Sequence, residues 1–331
     1  MRATSGVLFI LLALSAAFPP FEAAAASRSK VARDEENVVQ KTIREASRLQ
    51  EAGKTREAIR TLSRAAKSAT EKHQAQRLRI IEINLRLGRL LEAGEGSDEL
   101  AEKLHALLEN ASGLDKEKAF LFCARVLIRI GKYEHARKLL NRYLNDYPEP
   151  SQQELRQFRE TARRKRGASR AASMSHPRLL YRYWATQVLW KASLVGEPVP
   201  DFEFTTLSGK TVTPETFNGK VLLMNIWQSS SLPSTSVLPG LKKLHRSYKS
   251  DGLAILGLSL DQNESALKGY LEKHELSWPQ VHLGEKRRAV SDKFFVQTIP
   301  ATYLVDRQGI IRGVDLRGTV LRQKLEKVIS K

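Results

Sequence analysis

Ser231 and Ser234 lie where a strand would deliver reactive side chains to the start of a helix. They follow the apolar run 221–227, and Pro233 between them suits the first turn of a helix. A thiol at a helix N-terminus ionises readily, because the N–H groups there stabilise negative charge. A serine hydroxyl needs an adjacent base before it can act as a nucleophile. We therefore predict that Ser231 is the N-cap of the helix and that the turn carries no catalytic residue.

The sequence places no histidine beside these serines that could serve as the base for hydrolysis. Ser-His-Asp catalysis needs a histidine within hydrogen-bond distance of the serine. His245 lies about three helical turns beyond Ser234, roughly 17 Å along the axis. The sequence does not place His274 or His282 beside the turn, and no nucleophile-elbow pattern surrounds Ser231.

Cysteine usage limits the redox and metal chemistry of the chain. Cys123 is its only cysteine in 331 residues. An intrachain disulfide, a two-cysteine redox cycle and a Cys-rich metal site are therefore excluded, and we predict neither a metal nor a cofactor. Cys123 lies in a helical, apolar segment, so we expect a small buried side chain and not a reactive thiol.

The chain is strongly basic and begins with a targeting signal. It holds 55 Lys and Arg against 36 Asp and Glu, a net charge of +19. Arg2, the apolar core 7–18 and the small residues 23–26 predict a cleaved signal peptide over residues 1–26, and the alternative is an uncleaved anchor. We expect export to the periplasm or cell envelope, which makes nucleic acid an unlikely partner.

The region 27–148 has the composition and periodicity of continuous helix. Pro is absent from residues 21–147, and apolar side chains recur at spacings of three and four. One segment, from Phe120 to Pro148, resembles a tetratricopeptide (TPR) unit, with Ala124, Gly131 and Ala136 at its small positions. We predict an all-α TPR-like array. Such arrays usually bind polypeptides on a concave face, although an array that only packs or spaces is the alternative.

Residues 149–193 form a basic linker followed by an aromatic helix. The basic run Arg163, Arg164, Lys165 and Arg166 suggests contact with an anionic envelope polymer or lipid, with a solvated hinge as the alternative. The run lacks the interleaved aromatic residues of a single-strand nucleic-acid surface. The segment 177–194 is predicted to be a helix whose Tyr and Trp side chains pack in a core.

Residues 194–331 alternate between predicted strands and helices and end in a hairpin and a helix, which indicates an α/β fold. Three pieces carry a specific resemblance: the run 221–227, the strand 254–261 and the segment 298–306. Together they resemble the thioredoxin-like domain of the TlpA/ResA (redoxin, AhpC/TSA-like) family. The resemblance implies that Pro300 is a cis proline opposite the active-site turn and that the adjacent backbone can pair with an extended peptide.

The same resemblance shows what the turn lacks. The family's turn reads Trp-x-x-x-Cys-x-x-Cys, and both cysteine positions are serine here, at Ser231 and Ser234. Val237 stands where members tend to carry an acidic residue, and Ser230 replaces an aromatic one. We therefore favour a redox-inactive domain that binds a protein or peptide. The candidate cleft residues are Trp227, Ser231, Leu232, Pro233, Ser234, Ile299 and Pro300.

Two alternatives remain open. The chain could be a thiol-disulfide oxidoreductase of the TlpA/ResA type that uses a thiol from elsewhere, from Cys123 or a partner. It could instead be an envelope scaffold that binds anionic polymer or lipid through the basic run.

Overall fold

The computed structural model describes residues 30–69, 72–93, 97–110, 113–166 and 176–330. The predicted signal peptide lies outside these residues. Eight helices form the first part of the described chain: α1 Lys30–Glu51, α2 Thr55–Ser68, α3 Lys72–Ala93, α4 Ser97–Asn110, α5 Gly113–Arg129, α6 Tyr133–Asp146, α7 Gln152–Arg166 and α8 Pro177–Ser193. None of the described helices is long and apolar enough to cross a bilayer.

Neighbouring helices pack in pairs through their apolar faces. In α2 the buried side chains are Ala58, Ile59, Leu62 and Ala66, which recur at helical spacing. The turn between α5 and α6 contains Gly131 at φ +76°, a conformation that glycine adopts without steric cost. Ala124 and Ala136 are fully buried, as expected for small residues at a close helix contact.

The basic stretch contains more helix than a linker would. Helix α7 covers Gln152–Arg166, so the run from Arg163 ends a helix, and residues 167–175 are outside the described chain. The predicted aromatic helix is confirmed as α8, but its stripe packs only in part. Tyr181 is buried, whereas Tyr183 is 58% exposed and Trp190 is 48% exposed.

The second half is an α/β unit. Its elements are β1 Phe204–Thr205, β2 Thr211–Val212, a 3-10 turn Pro214–Phe217, β3 Val221–Trp227, α9 Leu232–Ser236, α10 Leu238–Tyr248, β4 Leu253–Ser259, α11 Glu264–His274, β5 Gln280–His282, a 3-10 turn Gly284–Lys286, α12 Arg287–Lys293, β6 Ala301–Val305, β7 Ile311–Val314 and α13 Gly318–Ile329. The strand order of the main sheet is β5-β4-β3-β6-β7.

The predicted strand 221–227 is confirmed as the centre of this sheet. Every residue of β3 is buried, and β3 pairs parallel with β4 and antiparallel with β6. A strand buried on both faces reads as a continuous apolar run, which is why the sequence located it. The predicted multidomain fold, helical array then thioredoxin-like α/β unit, is confirmed.

One hydrophobic core joins the two halves. The cluster that holds Phe120, Leu140 and Tyr181 continues into β3, β6 and α13. At the β7 edge of the sheet, the Tyr133 hydroxyl accepts a hydrogen bond from Val314 N at 3.0 Å and donates to Val314 O at 3.3 Å. Gly313 permits this approach, since a Cβ there would lie 3.1 Å from that hydroxyl and 2.5 Å from Leu316.

Candidate functional site

The turn after β3 leads directly into a helix. Ser231 is the N-cap of α9, with φ −90° and ψ 109°, and its Oγ accepts a hydrogen bond from Ser234 N at 3.4 Å. Pro233 lies in the first turn. The predicted N-cap role of Ser231 is confirmed. The helix then breaks at Val237, and α10 begins with Leu238 and Pro239.

Ser234 is fully buried, and its Oγ has no hydrogen-bond partner among the described residues. A hydroxyl without a base cannot be activated as a nucleophile. The three histidines of this half of the chain are engaged elsewhere, and the ring of His274 stacks on that of Tyr270 with centroids 4.1 Å apart. His245 contacts Ser277 Oγ at 3.3 Å, and His282 Nε2 lies 2.8 Å from Asp261 O. Among the described residues, Ser231 and Ser234 therefore have no base in hydrogen-bond contact that could support hydrolase chemistry.

The Ile299–Pro300 peptide bond is cis, as the resemblance implied. The register of the sheet places this proline beside the turn, because Ile226 of β3 pairs with Ala301 of β6. Pro300 is buried, and its carbonyl accepts a hydrogen bond from Arg317 Nη2 at 2.6 Å. A buried guanidinium thus fixes the backbone beside the turn.

Of the seven candidate cleft residues, some are buried and support the turn, and the others are at least partly exposed. Trp227, Ser234 and Pro300 are buried, and Trp227 Nε1 donates to Gln280 Oε1 at 3.2 Å. Leu232 is 45% exposed, and the others on the surface side are half-buried: Ser231, Pro233 and Ile299. The part available to a ligand is therefore small and mainly apolar.

Asp261 holds the turn in place, and the sequence did not predict this role. Its carboxylate accepts hydrogen bonds from Ser229 N at 3.1 Å, from Ser229 Oγ at 2.8 Å and from Ser259 Oγ at 2.6 Å. Asp261 is 4% exposed, so these hydrogen bonds are shielded from water. The sequence feature that could have predicted this role is the position of Asp261, an acidic residue directly after an apolar strand.

The lone thiol lies in the helical half. Cys123 is fully buried in α5 among apolar side chains, and its Sγ lies 3.7 Å from Leu104 O. Burial raises the pKa of the Cys123 thiol well above its usual value. The prediction of a buried cysteine is confirmed, and the raised pKa disfavours the thiolate, which is the reactive form.

No group of three or more His, Cys, Asp or Glu side chains within the described ranges could hold a metal ion.

Residues 195–314 match the model of the AhpC/TSA family. The chain is 26% identical over 137 residues to the thiol-disulfide oxidoreductase ResA of Bacillus thuringiensis subsp. konkukian (strain 97-27). This match covers 41% of the chain and 78% of the relative. The C-terminal unit is a thioredoxin-like domain related to the ResA type.

Two further similarities cover the same share of the chain. The thioredoxin-like protein YneN of Bacillus subtilis (strain 168) is 26% identical over 138 residues, covering 41% of this chain and 78% of YneN. The solved thioredoxin domain of a thiol-disulfide oxidoreductase from Bacteroides vulgatus is 28% identical. It covers 41% of this chain and 97% of that one, with a TM-score of 0.39.

Proposed function

We propose that this chain is an exported, redox-inactive thioredoxin-like protein that binds an extended polypeptide segment in the cell envelope. One observation carries the proposal. The frame of the turn is complete, with the N-cap Ser231 and the cis bond before Pro300, while the only thiol is buried in α5.

The surface beside the cis proline suits a polypeptide. Leu232 presents an exposed apolar side chain at the first position of α9, and Ile299, which precedes the cis proline, is half-buried. An extended peptide gains main-chain hydrogen bonds from a fixed backbone edge and selectivity from such side-chain contacts. Asp261 and Arg317 hold the two sides of this surface, so little ordering is needed on binding.

The oxidoreductase alternative has less support. A substitute thiol would have to reach the turn as a thiolate, and Cys123 is fully buried with a raised pKa. The redox question is tested by insulin reduction with dithiothreitol, using the mature chain and Cys123→Ala. We expect both proteins to match the reagent blank. Turnover that Cys123→Ala abolishes would refute redox inactivity.

The binding question needs a separate assay. The probe is reduced, carboxymethylated α-lactalbumin, which stays unfolded and has no free thiol. We expect Leu232→Asp to weaken binding about 10-fold or more, since a charge would replace an exposed apolar contact. Val38→Asp is the matched control, because Val38 is 63% exposed on α1. No binding by the unmodified chain, or equal loss in both variants, would sink the peptide-binding proposal.

A further inference from the structure

Basic side chains gather where the helical half meets the thioredoxin-like domain. Arg125 and Arg129 come from α5, Lys191 comes from α8, and Arg317 follows β7. The carboxylate that acts electrostatically on all three arginines is that of Asp315. A cavity of about 30 Å³ opens beside this basic cluster, with polar lining from Arg125, Arg129, Lys191, Gln297, Thr298 and Asp315.

The hydrogen bonds within the basic cluster leave most of its positive charge without a counter-charge. Lys191 Nζ lies 2.8 Å from Asp315 Oδ2, so this ion pair uses the carboxylate. Arg125 Nη2 donates to the neutral Gln297 Oε1 at 3.3 Å. Arg317 Nη2 donates to Pro300 O, and its buried Nε has no partner in the described structure.

Arg129 is the most isolated member. Within the described part of the chain, its guanidinium has neither a hydrogen bond nor an ion pair, although it lines the cavity. Burial and the positive charges of Arg317 and Arg125 lower the pKa of Arg129 to about 9, against the opposite effect of Asp315. Burial lowers the pKa of Arg125 and Arg317 as well. Arg317 is buried and Arg125 and Arg129 are half-buried, so each of the three charges is at least partly removed from water, which favours a nearby counter-ion.

We propose that this cavity binds a small inorganic anion of the size of chloride, held by Arg129 and Arg125. The volume decides the class of ligand. One water molecule needs about 10 to 15 Å³, so a cavity of about 30 Å³ has room for two or three of them. A phosphate ester or a peptide side chain on its backbone is too large to enclose there. Guanidinium groups supply several N–H donors and stay protonated at neutral pH.

The bound anion would join three elements. Arg125 and Arg129 belong to α5, Lys191 to α8, and Thr298 to the segment that precedes the cis proline. Neutralising the repulsion between these elements would stabilise their junction. This site is separate from the exposed surface at Leu232, and it stands whether or not that surface binds a polypeptide.

The test is thermal unfolding of the mature chain in sodium chloride, with sodium gluconate keeping the ionic strength constant. We expect Tm to rise with chloride and to saturate, by about 2 °C or more. Arg129→Met should lose this dependence and, in gluconate alone, should be at least as stable as the unmodified chain. Arg246→Gln, which changes an exposed arginine of α10, should keep the dependence.

A crystal soaked in sodium bromide provides a test that needs no variant. We expect an anomalous peak in the cavity between Arg125 and Arg129. A cavity that holds only water, together with equal Tm in chloride and gluconate, would overturn the proposal. It would also be overturned if Arg129→Met kept the chloride dependence, or if acetate raised Tm and chloride did not.

Discussion

Removing the Tyr133 hydroxyl tests whether the two halves of the chain fold as one unit. Val314 lies on β7, the edge strand of the sheet, and its N–H and C=O both bond to this hydroxyl. Tyr133→Phe keeps the ring, which is 7% exposed, and leaves both backbone groups without a partner. Each buried group left unpaired costs about 1–3 kcal/mol, so we expect a loss of about 2–6 kcal/mol for the two groups.

The assay is urea unfolding followed by two signals. Far-UV circular dichroism reports mainly on the helices, and Trp fluorescence reports on both halves, since Trp184 and Trp190 lie on α8 while Trp227 and Trp278 lie beyond it. We expect coincident transitions, a lower midpoint and an unchanged slope. Tyr183→Phe, at a 58% exposed site, should change stability by less than about 0.5 kcal/mol. Separate transitions, or a Tyr133→Phe effect as small as that control, would refute a shared folding unit.

Three further predictions concern the thioredoxin-like half. Ser231→Cys with Ser234→Cys should give a disulfide under oxidant, because the turn frame is intact; a thiol titration that finds both thiols free would contradict this geometry. Asp261→Asn should cost about 1.5–3 kcal/mol in urea unfolding and speed amide exchange at Ser229, since an amide nitrogen cannot accept those hydrogen bonds. Burial, then the charge of Lys249, lowers the pKa of His245, so the unfolded chain takes up the proton first as pH falls below about 6.5. Stability should therefore fall below that pH, and His245→Gln should show a smaller decrease.

The sequence predicted the parts of the site that depend on local pattern. The apolar run of β3, the N-cap Ser231 and the burial of Cys123 each follow from residue type and near neighbours. The cis bond before Pro300 came from the resemblance alone, because no local rule requires it.

What the sequence did not reveal depends on contacts between distant residues. Tyr133 and Val314 are 181 positions apart, and Lys191 and Asp315 are 124 apart, so no periodicity relates them. Arg125 and Arg129 are four apart and share one face of α5, but a basic pair on a helix usually faces solvent. The exposure of Trp190 was not predicted for a related reason. An aromatic stripe on a helix does not show which of its side chains face the core until the packing partners are known.

The helices help to support the surface beside the cis proline. Arg317 fixes the carbonyl of Pro300, and the preceding Asp315 is held by Lys191 from α8. Asp315 N also donates to Thr302 O at 2.8 Å, which ties the end of β7 to β6 one residue after Ala301. Removing the helical half would take away Lys191 and expose the core around β7. The geometry beside the cis proline therefore depends on contacts from the helices, and the proposed binding is best measured with the helical half present.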